Sequence, residues 1–448
     1  MFKKILIANR GEIANRVIRT CRMLGIQTIA IYSEADVDSP HVQLADEAYL
    51  VGGPRVKESY LNSEKIMEIA KQAGAEAIHP GYGLLSENSA FATECLKAGI
   101  TFIGPSPQVI EQMGSKIEAR KAMIKAGVPV VRGITYPLED EEAAINAALN
   151  IGFPVMLKAS AGGGGIGMQI VRNEVELKKA FTGNQKRAID FFGNGDMYLE
   201  KCLENPRHIE IQLLADQFGN TIYLWERECS IQRRHQKVVE EAPSPFLDEE
   251  TRRKMGEVSV KAAKSIGYSN AGTIEFLVDE QKNYYFLEMN TRLQVEHPVT
   301  EEITGLDLVE QQLKVAYGEK LAFSQSDISR EGHAIEVRIY AEDPNTFFPS
   351  PGIITKLSYP QEPGIRHELG VREQSVVTPF YDPMLAKLII KGKNRRDAIQ
   401  KLESALDGYE IEGIKTNLPL LKEITAHPAF KKGEITTDFI AKLLQEKK

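Results

Sequence analysis

Glu275 and Glu288 are spaced to meet. If residues 273–278 and 284–290 form a hairpin turning over 279–283, a two- or four-residue loop centred on Gln281 and Lys282 sets Glu275 directly opposite Glu288. Cβ atoms so placed lie about 5 Å apart, and two like charges there repel unless something neutralises them. Carboxylate oxygens are hard ligands that suit Mg²⁺ or Mn²⁺. The pair alone reads equally as a cation site or as two glutamates on a solvated face. Asn290 shares that face. With a strand period of two, the extended segment continues as Glu288, Asn290, Arg292, Gln294 and Glu296, and Pro298 favours extended geometry at His297. Arg292 offers a planar fork for a small carboxylate-like anion. Glu296 beside it is a candidate general base. A solvent-facing strip could show the same alternation, so periodicity does not decide between them.

Two further groups carry chemistry. The run Gly162-Gly163-Gly164-Gly165-Ile166-Gly167 lies between strand-like segments at 153–158 and 168–171, so it reads as a hairpin lid. Its backbone N–H groups could close over a polyphosphate. No Gly-Lys-Ser/Thr ends the run, and Lys158 precedes the glycines, so it is not a Walker loop. The cluster Gln232-Arg233-Arg234-His235-Gln236-Lys237 is basic, but Glu240 and Glu241 follow at once. A local anion site fits it better than a nucleic-acid patch. Arg338 stands on the polar face of an alternating strand, where taken alone it reads as a surface arginine.

The elements that must position these residues follow from pattern. Residues 5–8 are a short buried-strand run, 12–24 a helical pattern ending at Gly25, and 28–32 a second strand, which together open a βαβ fold. With further strands at 77–79 and 101–103, a parallel doubly wound domain extends to about residue 103. The first turn, Asn9-Arg10-Gly11-Glu12, lacks the three-glycine dinucleotide fingerprint, which makes an NAD-dependent dehydrogenase remote. A helix is expected over 115–126. Strands at 209–215, 221–226, 273–278, 284–290 and 334–341 predict a largely antiparallel sheet, closed by helices near 395–406, 418–425 and 437–444.

Composition bounds the class. A chain of 448 residues suggests about three domains. Apolar residues at 42% and charged residues at 26% exclude a disordered or fibrous chain. A net charge of −7 argues against general attraction to nucleic acid or anionic lipid, so anionic ligands must be held by local clusters. Cys21, Cys95, Cys202 and Cys229 lie far apart with no Cys-x-x-Cys pair, as expected for reduced thiols in a cytoplasmic protein. The apolar run 5–8 stops at Asn9-Arg10, too short for a signal peptide. No segment approaches the roughly 20 apolar residues of a membrane span.

Lys158 with its glycine run, Glu200-Lys201-Cys202-Leu203, Glu275 and Glu288-Met289-Asn290-Thr291-Arg292-Leu293-Gln294-Val295-Glu296-His297-Pro298 together resemble the biotin carboxylase family of ATP-grasp enzymes. The resemblance runs essentially from end to end, and the 288–298 run is its most specific part. Ile7-Ala8-Asn9-Arg10-Gly11-Glu12-Ile13-Ala14 and His79-Pro80-Gly81-Tyr82-Gly83-Leu84-Leu85-Ser86-Glu87-Asn88 also match. The fold it implies is α/β and α+β: a doubly wound N-terminal domain at 1–114, a central ATP-grasp lid domain at 115–203, and a C-terminal antiparallel domain at 204–448 whose family-specific part spans about 334–446.

The activity it implies is ATP-dependent carboxylation of biotin on a carrier protein, through carboxyphosphate. By the resemblance, Lys116, Lys158, Gly164, Gly165, Lys201 and His208 would hold phosphates or ribose, and Glu200 and Leu203 would meet the adenine. Cys202, Gln232 and His235 would also lie at the nucleotide. Glu275 and Glu288, with Asn290, would bind two Mg²⁺ or Mn²⁺ ions. Lys237, Arg292, Gln294 and Val295 would bind bicarbonate, and Glu296 would take its proton. Arg338 would stabilise the biotin enolate, with Tyr82 and Gly83 lining the biotin pocket. Ile166, Ala161 and Ser115 depart from the family's usual Arg, Gly and Asp. Arg16, Arg19 and Arg366 match homodimer interface positions, whereas Pro363 replaces an aromatic. No Met-Lys-Met acceptor occurs, and the last predicted helix ends near residue 448. Biotin is therefore expected on a separate carrier chain, with carboxyltransferase subunits as further partners, as in the stand-alone subunit type of acetyl-CoA carboxylase. Two alternatives stay open: another ATP-grasp ligase making carbamoyl or acyl phosphates, and a nucleotide-sensing module without chemistry.

Overall fold

The structure is a computed structural model and describes residues 1–161 and 167–446. The chain begins with a parallel sheet of five strands, β1 (Lys4–Ile7), β2 (Gln27–Ser33), β3 (Glu47–Gly52), β4 (Ala77–His79) and β5 (Thr101–Phe102), in the order β3-β2-β1-β4-β5. Apolar runs such as Ile5-Leu6-Ile7 suit strands covered on both faces. Helix Gly11–Met23 packs one face, and helices Ser63–Gln72 and Ser89–Lys97 pack the other. The strand order reverses between β1 and β4, and open α/β sheets bind ligands beyond the C-terminal ends of strands at such a switch. The segments that leave those two strands, Asn9–Ile13 and Tyr82–Leu84, both line the main cavity. They are locked together there: Asn9 Nδ2 donates to the carbonyls of Pro80 (2.7 Å) and Tyr82 (2.8 Å). Gly81, at φ +63°, is required at this crossing, since a Cβ would come within 2.8 Å of Asn9 Nδ2.

A second, antiparallel sheet consists of β6 (Val155–Ala159), β7 (Met168–Val171) and β8 (Met197–Lys201) in the order β7-β6-β8. Helices Glu141–Ile151 and Glu174–Phe192 cover it, capped by the side chains of Asp140 and Asn173. The strands flanking the glycine run pair as expected, with Lys158 opposite Met168. Gly164, Gly165 and Ile166 lie outside the described residues. The helix Lys116–Ala126 begins one residue later than expected because Ser115 is its N-cap, accepting from the Glu118 N–H. Serine thus does the capping that an aspartate would do there.

The largest element is an eight-stranded antiparallel sheet: β9 (Arg207–Ala215), β10 (Thr221–Arg233), β11 (Gln236–Ala242), β12 (Asn270–Val278), β13 (Tyr284–Asn290), β14 (His333–Tyr340), β15 (Ile365–Leu369) and β16 (Met384–Gly392). Its order is β13-β12-β9-β10-β11-β14-β16-β15. Helices Lys116–Ala126 and Glu249–Ser265 back one end, and helices Arg395–Asp407 and Leu418–Ala426 the other.

Glu275 does face Glu288, but the route differs from the expectation. Val278 pairs with Tyr284, and the turn closes on Asp279 and Asn283, which shifts the register by one. A bulge at Leu287 restores it, because Glu275 pairs with Glu288 while Phe276 pairs with Phe286. The expected continuous strip from Glu288 to Glu296 is also corrected. β13 ends at Asn290, the chain bends at Thr291 and Arg292, and His297 and Pro298 open the helix His297–Thr304 instead of extending. Proline at a helix start loses no hydrogen bond, and this outweighs the extended preference of the residue before it.

Arg338 is not a surface residue. Every position of β14 is buried, so its alternation separates an apolar core face from a polar face turned to the cavity. Arg16 is corrected likewise: it is 2% exposed, held by Glu301 and Asp307 at 2.7 Å each, and so lies inside this chain.

Candidate active site

A cavity of about 890 Å³ opens where the three sheets meet. Lys116, Lys158, Glu200, Lys201, Cys202, Leu203, His208, Gln232 and His235 line it. So do Lys237, Glu275, Glu288, Asn290, Arg292, Gln294, Val295, Arg338, Tyr82 and Gly83. Glu296 lies beneath this lining, fully buried.

The floor is organised around Lys237. Its ammonium donates to Glu210 (2.6 Å), Glu275 (2.9 Å) and Glu296 (2.6 Å). Three carboxylates around one amine hold its pKa well above the usual lysine range despite burial. Glu296 also accepts from Arg338 (2.9 Å). Burial pushes the Glu296 pKa up, but Lys237, Arg338 and Arg227 together bring it well below the usual carboxylate range. Glu275 accepts additionally from Asn290 (2.9 Å) and Gln294 (2.9 Å), and His208 Nε2 lies 2.9 Å from it. Burial opposes ionisation of Glu275, yet Lys237 and His208 hold its pKa below the usual carboxylate range.

Glu288 is in the opposite condition. Burial, and then repulsion from Glu275, raise its pKa, and it has no hydrogen bond or ion pair among the described residues. Lys116 and His208 offset this only in part, and a carboxylate with no direct partner beside a second one is what a dication would satisfy, so Glu275, Glu288 and Asn290 fit Mg²⁺ or Mn²⁺. The ligand atoms of His208, Glu210 and Glu275 also converge within 4.8 Å, but Lys237 already neutralises that group.

Arg292 is aimed by its neighbours. Its Nε pairs with Glu87 (2.8 Å), while its terminal nitrogens donate to Asn290 (2.8 Å) and Gln294 (3.1 Å). Asn290, Arg292, Gln294 and Glu296 therefore converge through a bend and a helix start, not through strand alternation. Val295 is fixed from behind, its carbonyl accepting from Lys387 Nζ at 2.7 Å.

On the lid side, Lys158 bonds to Glu200, which Arg120 also pairs at 2.6 Å. Glu200 is thus taken up by two cations. Lys201 directs its ammonium at the Gly152 and Phe153 carbonyls (3.0 and 2.9 Å). Burial lowers the pKa of Lys116. An apolar slot formed by Val131, Met156, Met168, Leu203 and Leu277 suits a flat aromatic base. His208 Nδ1 lies 2.8 Å from Gln232 Nε2, and Glu275 raises the His208 pKa against the effect of burial. His235 sits at the tip of the β10–β11 hairpin with φ +68°, following Arg234 at φ +50°, and burial lowers its pKa.

Sequence reasoning missed several participants. Glu210 and Lys387 are fully buried beneath the site. The alternation His208, Glu210, Gln212 in β9 was a legible signal for the first, whereas nothing local marks the second. Thr437, Asp438 and Ala441, at the far end of the chain, also line the cavity, where the Thr437 N–H donates to the Pro206 carbonyl (3.1 Å).

The comparisons agree along the whole length. Residues 1–110 match the family model of the biotin carboxylase N-terminal domain, and 336–442 that of the biotin carboxylase C-terminal domain. Residues 115–324 match the ATP-binding domain of the carbamoyl-phosphate synthase L chain. Biotin carboxylase 2 of Bacillus subtilis is 68% identical over 440 residues, covering 98% of this chain and 99% of the relative. A biotin carboxylase complex with β,γ-ATP from Campylobacter jejuni superposes with a TM-score of 0.97 at 48% identity, covering 99% of both chains. The biotin carboxylase domain dimer of Hydrogenobacter thermophilus 2-oxoglutarate carboxylase, in complex with MgADP, ADP and bicarbonate, superposes with a TM-score of 0.96 at 52% identity, covering 99% of this chain and 98% of that one.

Proposed function

The chain belongs to the biotin carboxylase family, and from that premise we propose how its residues perform the family's reaction. It is a ligase that uses ATP and bicarbonate to carboxylate biotin carried on a separate protein. The observation that carries the residue assignment is Glu296, buried under the cavity and gripped by Lys237 (2.6 Å) and Arg338 (2.9 Å).

The nucleotide base enters the apolar slot beside Glu200, Cys202 and Leu203. Lys116, Lys158, Lys201, Gln232, His208 and His235, with Gly164 and Gly165, serve phosphates and ribose. Two Mg²⁺ or Mn²⁺ ions held by Glu275, Glu288 and Asn290 supply the charge neutralisation that phosphoryl transfer needs. Bicarbonate lies against Arg292, Gln294, Lys237 and the Val295 N–H. An anion there draws Lys237 away from Glu296. That weakens the interaction holding the carboxylate pKa down and restores Glu296 as a base for the bicarbonate proton. Bicarbonate then attacks the γ-phosphate and displaces ADP, and the resulting carboxyphosphate breaks down to CO₂ and phosphate; the ureido nitrogen of biotin gives up its proton to that phosphate and attacks the CO₂. Arg338 stabilises the biotin enolate, with Tyr82 and Gly83 lining the biotin pocket. A closed cavity protects carboxyphosphate from water.

The test is bicarbonate-dependent ATP hydrolysis that rises when free biotin is added. Glu296→Ala should lose this turnover about 10²- to 10⁴-fold while still binding ATP; full retention removes its role as base. The carbamoyl-phosphate synthase match at 115–324 favours a second reading, a carbamoyl or acyl phosphate ligase. Stimulation by ammonia and not by biotin would select it.

We further propose divisions near residues 114 and 203, a homodimer, and a biotin carboxyl carrier protein with carboxyltransferase subunits as partners, as in acetyl-CoA carboxylase of fatty acid biosynthesis. The carboxyltransferase chooses the final acceptor. No helix of the described residues is long and apolar enough to cross a membrane. The four unpaired cysteines suit the cytoplasm. Light scattering tests the dimer, and affinity capture of the biotinylated carrier identifies the partner.

A further inference from the structure

On the same face of β14 as Arg338, but outside the cavity lining, two glutamates stand directly opposite each other: Glu240 on β11 and Glu336 on β14 are register partners, each with 0% exposure. Neither carboxyl oxygen of Glu336 has a hydrogen-bond partner among the described residues, and Glu240 is met only by the Arg338 guanidinium. Glu240 makes one ion pair, with Arg338 at 2.6 Å, and Glu336 makes none among the described residues. Arg338 is already committed to Glu296 at 2.9 Å. The charged and titratable groups facing the pair are Cys229 from β10, Lys237 from β11, Arg338 and Tyr340 from β14, Lys387 from β16, and Glu296 from the turn before helix His297–Thr304.

Lys237 is engaged by three other carboxylates, and Lys387 by Glu12 (3.1 Å) and the Val295 carbonyl. Were Glu240 and Glu336 both ionised, one guanidinium would have to compensate them and Glu296 together. Like charges opposed across a ladder repel, and a buried carboxylate with no donor is strongly disfavoured. Binding one proton removes both penalties, since a protonated carboxyl can donate to its neighbour.

We infer that Glu240 and Glu336 are positioning residues that share one proton across the β11–β14 ladder, so that the pair presents a single negative charge to Arg338 and holds its guanidinium against Glu296. The inference rests on the reading of Arg338 and Glu296 given above. Its direction agrees with the electrostatics. Burial pushes Glu240 up to about 7 although Arg338 opposes this, and raises Glu336 well above the usual carboxylate range although Lys387 opposes this. Below about pH 7 the pair takes a second proton and Arg338 loses one of its two anchors.

The test follows kcat/KM for free biotin across the neutral range. Glu240→Gln should lower it about 10- to 100-fold at mildly alkaline pH, the usual loss when a group supporting an active residue is removed, and should abolish the fall on the acid side. KM for ATP should stay unchanged. Glu336→Ala should impair the same parameter, and Glu336→Gln should restore the wild-type profile, because an amide can take the place of a protonated carboxyl. In addition, the infrared difference between wild type and Glu336→Gln at mildly alkaline pH should contain the carbonyl stretch of a protonated carboxyl group. Absence of that band overturns the proposal, as does Glu336→Gln being as impaired as Glu336→Ala, or Glu240→Gln superimposing on wild type. Arg338→Ala separates the two levels. If it leaves biotin stimulation intact, the reading of the site itself fails; if it abolishes stimulation while the glutamate variants do nothing, only the shared proton fails.

Discussion

At the scale of single residues, the site is a set of charges that need one another. Lys237 is the clearest case, since its removal would leave Glu210, Glu275 and Glu296 facing each other in a buried space. Breaking such a group by deleting one partner typically costs about 3–5 kcal/mol. Lys237→Met is therefore expected to destabilise the protein by about 3 kcal/mol or more in urea unfolding at neutral pH. The deficit should shrink in mild acid, where the carboxylates relieve their repulsion by taking protons. A deficit independent of pH would mean that lost packing, and not charge, is what Lys237 supplies. The same coupling explains why Glu296 cannot be recognised as a base from its resting state. Lys237 and Arg338 hold its pKa well below the usual carboxylate range against the effect of burial, and in the proposed reaction an anion competing for Lys237 would release it.

At the scale of elements, turns decide where the charges point. The β10–β11 hairpin turns on Arg234 and His235, both in the left-handed region at φ +50° and +68°. Neither residue is suited to a two-residue turn of that kind, which asparagine and glycine adopt readily. Arg234→Asn is expected to raise stability by about 1 kcal/mol, read as a higher unfolding midpoint, with ATP binding retained. Unchanged stability would show that Arg234 gains elsewhere what it loses in the turn. The bulge at Leu287 works similarly: it is invisible in the alternation of residues 284–290, yet it returns Glu288 to Glu275 after the turn has shifted the register. Helix His297–Thr304 begins where extended geometry was expected at His297, and its start swings Glu296 beneath the cavity into contact with Lys237 and Arg338.

At the scale of the whole molecule, buried ion pairs tie distant segments together. Glu241 on β11 joins His333 at 2.7 Å and Arg395 at 2.7 Å. Burial opposes its ionisation, but these partners bring its pKa to about 2 from 4.5. A depressed carboxylate stabilises the fold fully above the unfolded pKa, and that stability is lost as pH falls through the folded value. The 4.5-to-2 shift corresponds to about 3 kcal/mol. Asp36, brought to about 2 by Arg10 against the effect of burial, titrates in the same window. His41, buried and lowered to about 4, begins the loss earlier, below its ordinary 6.5. Stability should therefore decline from mildly acid pH and fall steeply between about pH 4.5 and 2. In Glu241→Gln the steep part should be reduced by about 3 kcal/mol; an unaltered acid transition would remove Glu241 from this role. The sequence by itself determined the opening βαβ pattern, the hairpin that carries Glu275 and Glu288 and several of the later strands and helices, because periodicity and turn residues are local, whereas the register that makes the two glutamates face each other depended on a bulge it does not mark. It also carried the family resemblance, in the 288–298 run above all. Only the tertiary structure decided that Arg338 is interior, that Glu210, Glu240, Lys387 and Glu336 are buried around Glu296, and that residues near 437–441 reach the cavity. Burial and charge compensation depend on what packs from remote parts of the chain, and a strand's polar face looks the same in sequence whether it meets water or a buried network.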